Sequence, residues 1–340
     1  MLFRSDPDDT FITNGRDLSL RGDSLRIGSL LTEGGDITLD TLSGDVLLAQ
    51  DTIFSTGAAQ PGNITVFGSI NSLGAPAALE IVAGDGDIEQ TSFIGDTSAI
   101  TTVTLSGSTI ESLGPITAFN DVNIAAQERL SLGSFSDINS GGDVSLSSGE
   151  DFSSFRNTIT SGGTITVTAG RDINIDRGSW IATNDISFTA QQTASLQDNL
   201  DDGSSDSALI VDAGGLLTIQ GNSLVRLEAD NNPGSSVLRS GGDLMLRSDG
   251  VIVANGTLDA GGDLLLLTLA GTPNGFTSTS TDTLISSNGN VVFGDYTGLA
   301  LKVEAQGSIQ GGTITIVGPN PALAGSDSDI PLLNSRSALI

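Results

Sequence analysis

The stretch SGGTITVTAGRDINI, Ser161 to Ile175, decides the fold because it contains one short unit twice. Each copy begins with a small or polar turn, continues with Asp, Asn or Thr, and ends in an apolar–x–apolar pattern. In Ile165-Thr166-Val167 the apolar and polar residues alternate with a period of two, which is typical of a β-strand with one buried face. The unit therefore predicts a turn followed by a short strand whose Ile and Val side chains point inward.

The same unit recurs along most of the chain. The spacing of the stronger copies is mostly 19 to 27 residues, which suits one coil of a β-solenoid. A long i, i+3, i+4 apolar stripe is not seen, so helices should be few and short. The copies centre on Leu18/Leu20, Ile37/Leu39, Ile64/Val66, Val122/Ile124, Val144/Leu146, Ile186/Phe188, Leu244/Leu246, Leu264/Leu266, Val291/Phe293 and Ile314/Ile316, with weaker ones at Ile88, Val103/Leu105 and Leu217/Ile219.

Stacking is what would make such short strands stable. One strand alone buries too little apolar surface. Parallel stacking gives each backbone group a partner above and below, at about 4.8 Å per coil. Glycine and asparagine tolerate the positive φ angles that tight corners need. The sequence therefore predicts a single elongated all-β domain, a parallel β-helix of about 13 coils. An antiparallel sandwich or jelly roll would require hairpins with two-residue turns, and the repeated strand motif does not favour them.

Composition shifts predict the boundaries of this domain. We expect an N-terminal edge at 1–13, the β-helix at 14–317, and an irregular tail or linker to further repeats at 318–340, where Pro319, Pro321 and Pro331 lack the N–H of a ladder strand. The acidic stretch at 197–207 predicts a loop inserted between coils, and 271–283 is a looser passage. The start lacks the apolar stretch of a signal peptide, so we expect an internal fragment.

Charge and residue usage exclude several classes of function. The chain has 41 acidic and 13 basic residues, a formal net charge of −28. Such acidity disfavours binding to nucleic-acid phosphates and to anionic membranes. Without cysteine or histidine the chain has no disulfides, thiolate metal sites or histidine bases. No run approaches the roughly 18 apolar residues of a membrane span.

The repeats resemble a known family. The segments GGTITVTAGRDINI (162–175), GGDITL (34–39), GGDVSL (141–146), GGDLML (241–246) and GRDLSL (15–20) look like the repeats of filamentous haemagglutinins, the large exoproteins of bacterial two-partner secretion. The resemblance covers most of 14–317. It implies a right-handed parallel β-helix that is secreted or held at the outer cell surface, and that is exported through an outer-membrane transporter. Such proteins mediate adhesion, aggregation or contact-dependent toxicity, and we expect this chain to be part of the shaft.

Two short motifs are candidate binding sites. Arg21-Gly22-Asp23 matches the tripeptide that some adhesins present to integrins, but a turn is also due at this point in the repeat. Asp198, Asp201, Asp202 and Asp206 are candidate calcium ligands, since calcium takes 6–8 hard oxygen ligands. A solvated loop is the alternative, because Leu200 stands where a helix-flanked calcium loop needs an oxygen ligand. No other cofactor is expected.

Aspartates that precede strands recur throughout the chain. We expect their side chains to hydrogen-bond nearby backbone N–H groups and so stabilise the corners. Repetition argues against catalysis, because an active site needs a unique cluster. The residues concerned are Asp17, Asp36, Asp143, Asp172, Asp243 and Asp263.

These observations favour a non-enzymatic role. We expect an adhesive and structural shaft whose loops meet a ligand on a host or neighbouring cell. The alternative is a β-helix polysaccharide lyase or hydrolase, which would place carboxylates, calcium or an arginine base in a groove. Glycoside hydrolysis needs two carboxylates at a defined separation. Trp180, Tyr296 and Phe188 could contribute to a sugar-stacking groove. A third class, binding to ice or crystal surfaces, would use threonine rows such as Thr164/Thr166/Thr168 and Thr313/Thr315.

Overall fold

The fold is a parallel β-helix, as the repeat predicts. The computed structural model describes residues 2–4, 10–57, 62–111, 113–198, 208–229, 236–280, 283–317 and 338–339. Within these ranges the chain is all-β, without a helix, and its strands pair in parallel. The chain divides into two compact units, Met1–Thr164 (unit 1) and Ile165–Ile340 (unit 2).

Unit 1 contains the first eighteen strands. They are β1 (Leu2–Arg4), β2 (Phe11–Ile12), β3 (Leu18–Gly22), β4 (Ser24–Ile27), β5 (Leu30–Leu31), β6 (Ile37–Thr41), β7 (Val46–Leu48), β8 (Thr52–Ser55), β9 (Ile64–Phe67), β10 (Ile70–Ser72), β11 (Leu79–Val82), β12 (Ile88–Gln90), β13 (Val103–Glu111), β14 (Ile116–Ala118), β15 (Val122–Leu132), β16 (Ile138–Ser140), β17 (Val144–Ser148) and β18 (Phe152–Ser161).

The coils of unit 1 have three faces, and strands of successive coils pair on each face; one coil reaches face 2 only through the isolated bridge at Ile94. Face 1 contains β3, β6, β9, β12 and the parts of β13, β15 and β18 at 109–111, 130–132 and 152–154. Face 2 contains β1, β4, β7, β10, β14, β16 and the end of β18. Face 3 contains β2, β5, β8, β11, the starts of β13 and β15, and β17.

Unit 2 repeats this arrangement. Its strands are β19 (Ile165–Ala169), β20 (Ile173–Ala182), β21 (Ile186–Ala190), β22 (Thr193–Gln197), β23 (Leu209–Ala213), β24 (Leu217–Gly221), β25 (Leu224–Glu228), β26 (Val237–Ser240), β27 (Leu244–Arg247), β28 (Val251–Asn255), β29 (Thr257–Ala260), β30 (Leu264–Leu267), β31 (Phe276–Ser278), β32 (Leu284–Ser287), β33 (Val291–Val292), β34 (Tyr296–Gly298), β35 (Leu301–Ala305), β36 (Ile309–Gln310), β37 (Ile314–Ile316) and β38 (Ala338–Leu339).

The faces of unit 2 are named in the same order along the chain. Face 1 contains the start of β20, then β22, β25, β28, β31, β34 and β37. Face 2 contains the end of β20, then β23, β26, β29, β32, β35 and β38. Face 3 contains β19, β21, β24, β27, β30, β33 and β36.

The core lies inside the coils and follows the predicted alternation. Ile37, Ile64, Ile88 and Ile110 stack in register on face 1 of unit 1, each at most 2% exposed. The predicted inward pairs are buried, apart from Leu20, Ile314 and Ile316, which are half-buried. Successive coils thus cover one another's apolar side chains, which an isolated strand could not do.

Large aromatic side chains fill the core of unit 2. Trp180 packs edge-on against Phe188 with ring centroids 5.3 Å apart. Phe276 contacts both Phe293 and Tyr296, at 5.5 Å and 4.7 Å. The expectation that Trp180, Tyr296 and Phe188 could line a sugar-stacking groove is wrong, because all three are 0% exposed.

Strand pairing continues past both irregular passages. Across the acidic stretch at 197–207, β21 pairs with β24 and β22 with β25. The passage at 271–283 contains a regular strand, β31, which pairs with β28 and β34. In the tail, β38 pairs with β35, and residues 318–337 lie outside the described part of the chain.

Candidate functional site

The recurring aspartates form hydrogen bonds between coils. Each of the six predicted residues accepts, through Oδ1, the backbone N–H of a residue in the next coil at 2.7–3.0 Å. The pairs, acceptor first, are Asp17 with Asp36, Asp36 with Asn63, Asp143 with Thr164, Asp172 with Thr193, Asp243 with Asp263, and Asp263 with Asn290.

The prediction of a structural role is thus confirmed for these six, but the expected partner was wrong. The acceptor and donor are 19 to 27 residues apart in sequence rather than close neighbours. In a parallel stack the equivalent residue of the next coil lies about 4.8 Å away, within reach of a carboxylate oxygen. Each aspartate therefore joins two coils, and the string of such bonds is called here the corner ladder.

Asparagine takes the same role at two rungs of the corner ladder. Asn63 Oδ1 accepts the N–H of Asp87 at 2.9 Å, and Asn290 Oδ1 accepts that of Ser308 at 2.9 Å. The ladder thus needs a short side chain that carries an acceptor oxygen, and it does not need the charge.

The paired glycines are required by the close approach of successive coils. A Cβ on Gly262 would fall inside 3.0 Å of Asp243 Oδ1, and one on Gly261 would do so against Gly241 O. Neither glycine has a positive φ, so the prediction that corner glycines serve left-handed turns is wrong here, although it holds for Gly34 at φ 115°. Gly242 is an exception: Leu216 replaces the aspartate of the preceding coil, and the nearest atom is Gly215 O at 3.2 Å.

A serine before the Gly-Gly or Asn-Gly pair completes several corners, and the sequence analysis missed it. Ser161 Oγ donates to Gly142 O at 2.7 Å, and Ser287 Oγ donates to Gly262 O at 2.7 Å. Both serines are buried and satisfy a carbonyl of the preceding coil. The signal lay in the sequence, as a serine two residues after an inward apolar residue of face 2, here Ile159 and Ile285.

The candidate integrin motif lies within the ladder of strands. Arg21 and Gly22 end β3, and Asp23 lies at the bend before β4. Arg21 Nε pairs with Asp40 Oδ2 at 3.0 Å, and Gly22 O accepts the N–H of Leu42 at 2.9 Å. Arg21 and Asp23 remain exposed, but Gly22 is buried, so the tripeptide does not form the tip of a protruding loop.

Of the four candidate calcium ligands, the structure describes only Asp198. This residue is buried, and its Oδ2 accepts the hydroxyl of Ser236 at 2.7 Å. Asp201, Asp202 and Asp206 lie outside the described residues. Among the residues that are described, no group of three or more acidic side chains is arranged to hold a metal ion.

The threonine rows do not form one continuous surface. Thr166 and Thr168 point outward on face 3, where Ser187/Thr189 and then Thr218/Gln220 follow in register. Met245 and Arg247 come next and end the row of hydroxyls. Thr315 lies on face 1 instead.

An acidic groove lies on face 1 of unit 1. It has a volume of about 280 Å³ and is lined by Asp87, Glu89 and Glu111, with Thr109 and Ile88. Glu89 and Glu111 are register partners on neighbouring coils. Asp87 Oδ1 accepts the N–H of Thr109, and Glu111 is ion-paired with Arg129. Two of the three carboxylates are therefore already engaged.

Exposed phenylalanines mark a second surface, which the sequence analysis did not single out. Phe93, Phe119 and Phe135 are 46%, 65% and 80% exposed. They surround β14 on face 2 of unit 1, where grooves of about 340 Å³ and 290 Å³ lie beside Phe135 and Phe119. These three residues with Pro115 and Thr117 are called here the phenylalanine surface.

Comparison with known proteins adds no functional information. No protein-family model matches the chain, and no curated protein or solved structure matches it significantly. The filamentous haemagglutinin resemblance therefore stays a prediction. No helix in the described ranges is long and apolar enough to span a bilayer.

Proposed function

We propose that this chain is a structural and adhesive shaft of a large bacterial protein that is secreted or held at the outer cell surface. Stacked coils would form a stiff scaffold, and the outward side chains and loops would meet a ligand on a host or neighbouring cell. Export through an outer-membrane transporter belongs to the same proposal, which also draws on the resemblance of the repeats to filamentous haemagglutinins.

The corner ladder is the observation that carries this proposal. Six aspartates and two asparagines, at the corner before face 1 or the corner before face 3, bind the next coil in the same way. An active site needs a unique constellation of groups, whereas these side chains repeat one structural bond. The repetition supports a scaffold whose outward side chains are left to meet a ligand.

Adhesion can be tested with the intact chain. Beads coated with the purified protein should adhere to epithelial or bacterial cells, or to one another, more than beads coated with an unrelated acidic protein of matched charge. The charge-matched coating separates specific adhesion from general electrostatic effects. Coated beads that adhere to no cell type and do not aggregate would count against the proposal.

The acidic groove is the observation that favours the enzyme alternative. Glu89 and Glu111 lie side by side in it, and glycoside hydrolysis needs two neighbouring carboxylates. If the chain cleaves acidic or neutral polysaccharides, Glu111→Gln and Glu89→Gln should each abolish the release of reducing ends or unsaturated products. Cleavage that survives both substitutions, or no cleavage at all, would reject this alternative.

A further inference from the structure

The phenylalanine surface contains two adjacent grooves. Ile94 N–H donates to Pro115 O at 2.8 Å, so Phe93 lies beside Pro115 on the neighbouring coil. One groove is lined by Pro115 and Phe135, and the other by Thr117 and Phe119. Since Pro115 and Thr117 are two residues apart on one stretch of chain, the grooves lie side by side.

Phe135 occupies a position that suits phenylalanine poorly. Its φ of 75° lies in the left-handed region, which favours glycine or asparagine over a bulky side chain. Its ring is 80% exposed, so burial within the coil does not offset the strain. Arg156, the counterpart of Phe135 in the next coil, also has a positive φ of 58°, so the position imposes the conformation on whatever residue stands there. Packing within the coil therefore does not explain why a phenylalanine stands at this exposed position.

The surface also lies in a strongly negative region. Between Arg26 and Arg129 the sequence has 13 acidic residues and no lysine or arginine. An aspartate follows each of the three phenylalanines within three residues, namely Asp96, Asp121 and Asp137. The exposed rings therefore lie in a negative region, in which Arg129 is ion-paired with Glu111 and Arg156 is the counterpart of Phe135 in the next coil.

We infer that the phenylalanine surface binds a cationic amphipathic polypeptide segment. Its apolar side chains would occupy the two grooves, and its Arg or Lys side chains would lie over the aspartates and ring faces. From Leu113 to Phe119 the surface spans six residues of nearly extended chain, roughly 20 Å. That length matches about six residues of an extended peptide or nearly four turns of a helix. The inference goes beyond the adhesive role and stands without it.

Peptide binding to the full chain tests this inference. The probe is a fluorescent amphipathic peptide of Leu and Arg, compared with one analogue that has Glu for Arg and one that has Ser for Leu. At about 0.15 M salt, where general charge attraction is screened beyond about 8 Å, the Leu/Arg peptide should bind best. The double variant Phe119→Ser/Phe135→Asn should bind it at least tenfold more weakly. Val251→Ser, which removes an exposed apolar side chain of unit 2 (52% exposed), should change the affinity less than twofold.

A stability control separates loss of binding from loss of folding. Phe135→Asn should unfold at the same or a higher denaturant concentration than the wild type, because asparagine tolerates the left-handed conformation better. Equal affinity in the double variant would overturn the inference. A Ser-for-Leu analogue that binds as tightly as the Leu/Arg peptide would also overturn it, because charge attraction alone would then account for the binding. A Glu-for-Arg analogue that binds equally well would overturn it too.

Discussion

Units 1 and 2 share one coil architecture but differ in how they place their aromatic residues. In the described part of unit 1, Phe93, Phe119 and Phe135 project into solvent, although Phe54 and Phe152 are buried in the core. In unit 2, Trp180, Phe188, Phe276, Phe293 and Tyr296 are buried in the core. The same scaffold thus accepts a large ring at an inward position, where it stabilises the stack, or at an outward position, where it is available to a partner.

The largest contrast in stability should come from truncating one ring of each kind. Trp180→Ala should lower the free energy of unfolding by roughly 3–5 kcal/mol, because it removes a fully buried side chain and leaves a cavity beside Phe188. Phe119→Ser, at a 65% exposed position, should change it by no more than about 0.5 kcal/mol. Urea unfolding followed by circular dichroism measures both. Equal losses of unfolding free energy in the two variants would contradict the distinction between rings that fill the core and rings that face solvent.

The corner ladder offers a sharper comparison between two neighbouring coils. Gly262→Ala should destabilise the protein by roughly 2–3 kcal/mol, because the new Cβ meets Asp243 Oδ1, which is held by the N–H of Asp263. Gly242→Ala should cost less than about 1 kcal/mol, since its nearest atom is a backbone oxygen at 3.2 Å. The same denaturation assay compares them. A Gly242 variant as unstable as the Gly262 variant would mean that contact with aspartate is not what requires glycine.

Two substitutions of Asp263 distinguish the contribution of its acceptor oxygen from that of its negative charge. Asp263→Ala should cost about 1–2 kcal/mol, because the N–H of Asn290 loses its acceptor. Asp263→Asn should cost clearly less, since asparagine already serves as acceptor at Asn63 and Asn290. Should both substitutions destabilise equally, the charge rather than the hydrogen bond would hold the corner.

Tyr296 gives an effect that is visible only at high pH. Burial raises the pKa of Tyr296 from its ordinary value of 10 to about 12, and the hydrogen bond with Ser278 lowers the pKa and so opposes part of this shift. Folding thus favours the neutral phenol, whose hydroxyl donates to Ala300 O at 2.6 Å. Its contribution to stability is present in full below pH 10 and is lost as the pH rises from about 10 to about 12.

Ultraviolet titration can measure this pKa directly, because Tyr296 is the only tyrosine. The native protein should titrate near 12 and the urea-unfolded chain near 10. A native value near 10 would show that the phenol is not buried as described.

The sequence allowed the fold to be predicted because inward residues repeat with a period of two on faces 1 and 3. It did not reveal the three faces. From β10 onward, most strands of face 2 carry a single large apolar residue followed by a small or polar one, as in Ile159-Thr160-Ser161, so they lack the apolar–x–apolar pattern of the other two faces. The same Gly-Gly-Asp motif also marks two different corners, before face 1 at Gly34 and before face 3 at Gly261.

The candidate sites were harder to predict for a physical reason. Whether a side chain of a β-helix is free depends on its neighbours one coil away, some 20 residues distant in sequence. Arg21 looked available as part of a tripeptide but pairs with Asp40 of the next coil. Phe135 looked like one more apolar residue, yet its backbone at φ 75° turns the ring outward.

Disulfide trapping tests the parallel stacking of coils most directly, because the chain has no cysteine of its own. Thr166 and Ser187 are register partners on face 3, and Thr218 follows one coil further on. The Cα atom of Ser187 should lie about 4.8 Å from that of Thr166, and the Cα atom of Thr218 about 9.6 Å from it. A disulfide requires a Cα–Cα distance of roughly 4.4–6.8 Å. Under mild oxidation Thr166→Cys/Ser187→Cys should crosslink nearly completely, and Thr166→Cys/Thr218→Cys should not. Crosslinking of the second pair without the first would contradict the parallel β-helix and everything built on it.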